Sequence, residues 1–145
     1  MNQDFVALLR ELSAADARYL IVGAYALAHH ARPRSTGDLD IWVDPTAANA
    51  GRVYLALSRF GAPLTELSEA ELTHANLEFQ IGIPPRRIDI LTSLTGLTFD
   101  EAWRTRVAGN IGEVPCGFLG RDDLVKNKRA LGRPRDLADL EALGE

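Results

Sequence analysis

Hydrophobic residues near the start of the chain recur first with helical spacing and then as a continuous run. Apolar residues over Phe5–Leu12 follow the i, i+3, i+4, i+7 spacing of one helix face, which predicts a helix over about residues 3–15. The apolar, β-branched run RYLIVG predicts a buried strand that ends at Gly23. The alanine-rich stretch AYALAHHA predicts a second helix that stops before Pro33, because the residue preceding a proline disfavours helical geometry.

The next run, DLDIWV, alternates as a strand does when one of its faces lies against a core. Its apolar positions predict the buried face, namely Leu39, Ile41 and Val43. Asp38 and Asp40 share the opposite face with Trp42, whose indole could stack on a base or pack in the core. The sequence therefore predicts two carboxylates side by side on one strand.

Turn and capping signals predict the elements that follow. DPTAANAGRVYLALSRFGAP predicts a helix with Asp44 as its N-cap and Pro45 as its first residue. Capping-box matches at SEAE and TFDE predict two short helices. NLEFQIGI and RRIDILT, separated by Pro84 and Pro85, predict neighbouring strands, and IGEVPCGFLG predicts one more. DDLVKNKRALG and PRDLADLEALG predict two helices at the carboxyl terminus.

These elements predict the α/β (α+β) class, with a mixed sheet flanked by helices in a single domain over residues 1–145. The composition, 46% hydrophobic and 25% charged, is ordinary for a globular protein. The net charge of −4 disfavours a general nucleic-acid coat protein but leaves a local basic patch open. Cys116, the single cysteine, excludes an internal disulfide. Without an apolar run of membrane-spanning length or a signal-peptide pattern, we expect a cytoplasmic protein with no membrane partner.

Two aspartates on one strand face repel each other, by roughly 4 kcal/mol at ~4 Å and an effective dielectric constant of about 20. This cost is relieved if one acid is protonated, if both are solvated or paired with Arg32, Arg34 or Arg87, or if a divalent cation lies between them. A third acid, Asp89, lies in the strand pattern RRIDIL. Three clustered carboxylates form the hard-oxygen site that Mg²⁺ prefers.

Gly23 predicts the second half of such a site. It ends a strand and directly precedes a helix, so backbone N–H groups at the helix N-terminus are available to phosphate. Its missing side chain lets the phosphate approach closely. Phosphate binding beside a carboxylate metal site is typical of nucleoside triphosphate binding.

Three segments carry a resemblance to a known family: GAYALAHHARPRSTGDLDIWVDP, RIDILTSLTGLTFDEAW and LVKNKRALGRPRDLADLEAL. Together they resemble the nucleotidyltransferase superfamily related to DNA polymerase beta. Within it they are most similar to small prokaryotic proteins found as minimal transferases and in toxin–antitoxin or abortive-infection loci. The resemblance covers nearly the full chain and implies the nucleotidyltransferase fold.

The resemblance also implies roles for particular residues. Gly23 and Ala24 would form the phosphate turn, and Asp38 and Asp40 would bind Mg²⁺ or Mn²⁺. Asp89 would be the third carboxylate of the metal site and would orient or deprotonate the attacking hydroxyl. The chain departs from the family at Ala24, where Gly or Ser is usual, and so lacks a possible hydroxyl contact to the triphosphate.

Two further positions are implied less directly. Thr36 either forms a hydrogen bond within its loop or contacts phosphate. In the tail, KRALGRPRDLADLEAL resembles the family's Lys-x-x-x-Gly-Arg-x-Lys/Arg-Asp-x-x-Asp element, which implies that Lys128 reaches the triphosphate. Arg133 and Asp136 would then fix the corner between the last two helices. Helix capping alone also explains Asp136 at that position.

The function that the resemblance implies is transfer of NMP from a nucleoside triphosphate to a hydroxyl group, with release of pyrophosphate. The acceptor would be RNA, such as a tRNA end, or a Ser, Thr or Tyr of a partner protein, within a toxin–antitoxin-type system. The alternative is a catalytically weak binding module of the same fold that acts as the toxin or antitoxin partner. Ala24 and the shortness of the chain favour that alternative.

Overall fold

The structure, a computed structural model, describes residues 2–31 and 37–145, which form one mixed β-sheet with helices on both of its faces. The helices are Gln3–Ala14 (α1), Gly23–His30 (α2), Ala47–Phe60 (α3), Phe99–Arg104 (α4), Arg121–Leu131 (α5) and Pro134–Ala142 (α6), with a 3-10 helix at Ala70–Thr73. The strands are Tyr19–Val22 (β1), Leu39–Val43 (β2), Glu78–Ile81 (β3), Ile88–Leu91 (β4), Val107–Ile111 (β5) and Val114–Phe118 (β6).

The six strands lie in the order β3-β4-β2-β1-β6-β5. β2 runs parallel to β4 and antiparallel to β1, which in turn runs parallel to β6. The two edge strands pair antiparallel with their neighbours. The sheet is therefore mixed, and the predicted α+β class with flanking helices is confirmed at this level.

Each face of the sheet supports its own core, because alternate strand residues point to opposite sides. The first core packs α1 and α3 against one face, around Ile21, Ile41 and Ile90. The second core packs α2, α4, α5 and α6 against the other face, around Leu20 and Trp42. The predicted buried set of β2 (Leu39, Ile41 and Val43) lies fully in the first core. The face that carries Asp38 and Asp40 is thus the face of the second core.

The predicted start of the third helix is wrong by two residues. Thr46, not Asp44, is the N-cap of α3, and its hydroxyl accepts a hydrogen bond from the backbone N–H of Asn49 (3.4 Å). Asp44 is instead buried, with its carboxylate 3.5 Å from the guanidinium of Arg18. Pro45 therefore precedes the helix. An ion pair with Arg18, which directly precedes the neighbouring strand β1, has overridden the local capping signal.

The two predicted capping boxes have different outcomes. At SEAE, Ser68 and Glu71 exchange side-chain to backbone hydrogen bonds of 3.0 and 3.3 Å, but the helix that follows is a single 3-10 turn. At TFDE, Thr98 is the N-cap of α4 and its side chain makes no capping hydrogen bond. The residue pattern therefore predicted where both helices begin. The reciprocal hydrogen bonds of a capping box form only at SEAE.

The predictions near the carboxyl terminus are confirmed in one part and incomplete in another. IGEVPCGFLG predicts one strand, whereas the chain forms the antiparallel hairpin β5–β6, whose turn contains Gly112. The last two helices form as predicted: Gly132 ends α5 with a φ of +62° and Pro134 begins α6. In the described part of the chain, no helix is long and apolar enough to cross a membrane.

Candidate functional site

The sheet brings together the three aspartates that the sequence analysis selected. Asp40 of β2 and Asp89 of β4 are register partners in adjacent parallel strands, so their side chains project from the same face. Asp38 lies two residues before Asp40, and its Oδ1 accepts a hydrogen bond from the backbone N–H of Arg87 (2.9 Å). The carboxylates thus gather where β2 and β4 begin, and we call Asp38, Asp40 and Asp89 the carboxylate cluster.

Gly23 lies directly against this cluster. A Cβ atom added to Gly23 would stand 2.1 Å from Oδ2 of Asp40, and the φ of Gly23 is +65°. Both facts require glycine, because other residues would clash with the carboxylate and rarely adopt this backbone conformation. Gly23 is also the first residue of α2, whose N-cap residue Val22 supplies no side-chain capping bond. A helix N-terminus without a side-chain cap therefore adjoins Asp40.

The electrostatic environment of Asp40 is unfavourable to its ionised form. The pKa of Asp40 is raised to about 7, first by burial and then, in decreasing order, by the negative charge of Asp89, a hydrogen bond with Asp89, and the charges of Asp38 and Glu78. Glu78, on β3, was not selected from the sequence. Its contribution arises only from the pairing of β3 with β4. The site therefore concentrates negative charge around Asp40.

Arg87 provides the positive charge that the described structure places in the cluster. Its Nε and one terminal nitrogen donate to the two carboxylate oxygens of Asp89 (2.7 and 3.1 Å). The same terminal nitrogen lies 3.7 Å from Oδ2 of Asp38. Ion pairing with arginine, the simplest of the explanations for the paired acids, is therefore realised for Asp38 and Asp89. Arg32, Arg34 and Thr36 lie outside the described residues.

A divalent cation fits the donor chemistry of the cluster but not its present arrangement. Within residues 2–31 and 37–145, no group of three or more His, Cys, Asp and Glu side chains could hold a metal ion as they stand. The three carboxylates nevertheless offer only hard oxygen ligands. A cation beside Asp40 would relieve the charge repulsion that raises the pKa of this residue. Asp38, Asp40 and Asp89 are the residues that would hold it.

The structure places Lys128 in a different set of contacts, at the corner between α5 and α6. Its ammonium nitrogen lies 3.5 Å from Asp136 and 3.0 Å from Asp139, and its side chain is only 11% exposed. Arg133 donates two side-chain hydrogen bonds to Asp136 (2.6 and 3.2 Å). These bonds are the main cause of the lowering of the Asp136 pKa to about 2. The predicted role of Arg133 and Asp136 in fixing this corner agrees with these contacts. Binding of triphosphate by Lys128 stays a prediction.

Trp42 shares the strand face of the aspartates but not their exposure. Only 1% of its surface is accessible, and its ring packs edge-to-face on Phe99 at a centroid distance of 5.2 Å. Its indole N–H has no hydrogen-bond partner among the described residues. Of the two interpretations of Trp42, stacking on a base is therefore wrong and packing in the core is correct.

Comparison with known proteins adds no assignment to this geometry. No protein-family model matches the chain, and no curated protein matches it. The positions of Gly23 and of the carboxylate cluster, together with their chemistry, are the observations from which a function can be proposed.

Proposed function

We propose that this protein is a metal-dependent nucleotidyltransferase with the DNA polymerase beta-like fold. The observation that carries the proposal is the position of Asp40, which touches Gly23 at the N-terminus of α2 and lies opposite Asp89 in the sheet. Helix N-termini bind phosphate, and clustered carboxylates bind Mg²⁺. A nucleoside triphosphate with its metal ion requires both features within a few ångströms of each other.

The topology supports the same proposal. A strand ending at a glycine leads into α2, the next strand carries Asp38 and Asp40, and the later strand β4 brings Asp89 beside them. This order is the one that the family resemblance implies. β1, β2 and β4 are also adjacent in the sheet, so the phosphate turn and all three acids lie in one region.

In the proposed reaction each residue has a limited task. The first-turn N–H groups of Gly23 and Ala24 bind the phosphates, and Asp38, Asp40 and Asp89 hold Mg²⁺ or Mn²⁺. When bound, the cation neutralises phosphate charge and stabilises the entering and leaving oxygens. Asp89 orients the acceptor hydroxyl and takes its proton. The hydroxyl oxygen bonds to the α-phosphorus while the bond to the pyrophosphate oxygen breaks, and pyrophosphate leaves.

The acceptor in this proposal is a hydroxyl of RNA or of a partner protein. Beside Asp89 lies the edge strand β3, on which Glu78 and Gln80 are exposed. A large acceptor can therefore approach the cluster from the edge of the sheet. The toxin–antitoxin-type setting in this proposal is supported by the family resemblance alone, whereas the cytoplasmic location and the lack of a membrane partner are proposed from the sequence, which has no apolar run of membrane-spanning length.

A second candidate is a binding module that keeps this fold but transfers nucleotides weakly or not at all. The observation in its favour is that Arg87 already contacts Asp38 and Asp89, and Lys128 already pairs with Asp136 and Asp139. In this arrangement two of the three cluster acids and the tail lysine are engaged within the protein. Such a module would act through a protein partner.

A transfer assay separates these two functions. The protein is incubated with each α-labelled nucleoside triphosphate, Mg²⁺, and either tRNA or the product of the adjacent gene. We expect labelling of one acceptor, with a loss of at least about 100-fold in Asp40→Asn because a ligand of the metal is removed. The control is Asp16→Asn, the same change at a side chain that is 95% exposed.

Equal labelling by wild type and Asp40→Asn would remove the catalytic assignment. Stable binding of the adjacent gene product by both proteins, without labelling of any acceptor, would instead support the binding module.

A further inference from the structure

Arg87 makes a set of contacts that exceeds what a surface ion pair requires. It precedes β4 by one residue, and its side chain runs along that strand to Asp89, two positions further on. Nε and a terminal nitrogen donate to both oxygens of Asp89 (2.7 and 3.1 Å), which is the bidentate geometry of strong arginine–carboxylate pairs. Arg87 is thereby fixed against one member of the carboxylate cluster.

The same residue also reaches the second strand of the cluster. Its backbone N–H donates to Oδ1 of Asp38 (2.9 Å), and a terminal nitrogen lies 3.7 Å from Oδ2 of Asp38. A single guanidinium group therefore lies between Asp38 on one strand and Asp89 on the next. This is the space in which a cation shared by the two carboxylates would have to bind.

The guanidinium compensates the cluster only in part. Three carboxylates face one arginine, and the contacts of Arg87 are with Asp38 and Asp89 rather than Asp40. The side chain of Arg87 is 26% exposed, so it has a path to solvent without any rearrangement of the core. A divalent cation would bring twice the charge to the same oxygens and could also use Asp40.

We propose that Arg87 is the resting counter-ion of the carboxylate cluster and leaves it when a divalent cation binds. This inference rests on the proposed function, since it takes the cluster to be a metal site. Arg87 is a positioning residue in this scheme. Before metal binds, its positive charge holds the carboxylates of Asp38 and Asp89 in place and reduces the repulsion between them. Metal affinity is lowered because each cation must first displace the arginine.

The first test measures Mn²⁺ binding without nucleotide, from the loss of the free-ion electron paramagnetic resonance signal. We expect Arg87→Gln to lower the Kd for Mn²⁺ by at least about tenfold, because no competing cation has to be displaced. Arg86→Gln is the matched control: it removes the same charge from an exposed neighbouring residue. Its Kd should stay within about twofold of wild type at physiological ionic strength, where exposed charges are screened.

The second variant guards against a folding defect in Arg87→Gln. Arg87→Lys keeps the positive charge but loses the bidentate fork. Its Kd should fall between those of wild type and Arg87→Gln, because an ammonium group competes less well for two carboxylates. An unchanged or higher Kd in both Arg87 variants would overturn the inference and leave the metal site intact.

A second measurement determines whether Arg87 leaves the carboxylate cluster when the metal binds or stays in contact with it. Nε–H of Arg87 is hydrogen-bonded at 2.7 Å, so its NMR signal, identified by its loss in Arg87→Gln, should exchange slowly in metal-free protein. Saturating Mg²⁺ should make it exchange rapidly, and retained protection would overturn the proposal. If neither wild type nor Arg87→Gln binds Mn²⁺ at millimolar concentration, the metal site fails and the proposed function fails with it.

Discussion

Asp40 and Asp136 are two of the aspartates that are withdrawn from solvent, and their surroundings shift their pKa values in opposite directions. Asp40, partly buried in the carboxylate cluster, has its pKa raised to about 7, first by burial and then by Asp89. Asp136, fully buried between α5 and α6, has its pKa lowered to about 2, chiefly by its hydrogen bonds from Arg133. An ionised aspartate is thus disfavoured by its surroundings at Asp40 and stabilised by them at Asp136.

Besides burial, the partners of the two acids differ. Asp136 accepts hydrogen bonds from the backbone and the guanidinium of Arg133 and lies 3.5 Å from the ammonium of Lys128. Asp40 faces Asp38, Asp89 and Glu78. A buried acid that stabilises the fold is surrounded by donors, whereas an acid held among other acids is a candidate functional group.

The largest effect on stability is expected at Asp136. Asp136→Ala removes the partner of Arg133 and Lys128 and leaves Lys128, whose side chain is 11% exposed, with less compensation. We expect a loss of about 3 kcal/mol in the free energy of unfolding, measured in urea, as for other broken buried ion pairs. Glu113→Ala, at a side chain that is 92% exposed, should change it by no more than about 0.5 kcal/mol. A loss below about 1 kcal/mol at Asp136 would mean that the pair contributes little.

The next largest effect is expected at Gly23, whose backbone conformation and contact with Asp40 both exclude a side chain. Gly23→Ala places a methyl group 2.1 Å from Asp40 at a φ of +65°, so we expect a loss of about 2 kcal/mol and of Mn²⁺ binding. Gly61→Ala is the matched control, since Gly61 has a φ of +91° but open space around an added Cβ. It should cost about 1 kcal/mol and leave Mn²⁺ binding unchanged. Equal effects of the two variants on metal binding would show that contact with Asp40 is unimportant.

Removing the charge of Asp40 should stabilise the metal-free protein. A folded-state pKa raised from 3.8 to about 7 means that the folded state binds the extra proton, so stability falls as pH rises between these values. The full shift corresponds to about 4 kcal/mol, which we reduce to about 1–2 kcal/mol because Asp40 is only partly buried and solvent screens its charge. Asp40→Asn should therefore be more stable than wild type at pH 8 and equally stable near pH 4.

The measurement for this prediction is urea unfolding between pH 4 and 8 in the presence of a chelator, with Asp16→Asn as the control. Asp40→Asn should flatten the decline between pH 4 and 7, and Asp16→Asn should preserve it. A variant that is less stable than wild type at pH 8 would contradict the strained environment inferred for Asp40.

The smallest effect on stability is expected at Lys128, which contacts Asp136 and which the family resemblance places at the triphosphate. Because Lys128 pairs with Asp136 and Asp139, we expect Lys128→Met to lower the free energy of unfolding by about 1 kcal/mol. If Lys128 also reaches the triphosphate, as the family resemblance implies, the affinity for nucleoside triphosphate, measured by equilibrium dialysis, should fall as well. A change in affinity of less than about twofold would confine Lys128 to the corner between α5 and α6.

Local patterns were sufficient for most elements and for one side of the site. The period of two in DLDIWV places Asp38 and Asp40 on the face opposite Ile41, and glycine followed by a helix marks Gly23. Local patterns failed where a distant partner intervened. Arg18 draws Asp44 away from the cap of α3, and Phe99 covers Trp42 in the second core.

By itself the sequence determined most of the helices and strands, which faces they bury, and that two carboxylates share one face, because these properties depend on residues close together in the chain. Only the tertiary structure decided that Asp89 stands opposite Asp40, that Gly23 touches its carboxylate and that Arg87 joins two of the three acids. Strand order and register are set by packing between segments far apart in sequence, and no local period encodes them. The charge balance of Asp40 follows from that pairing.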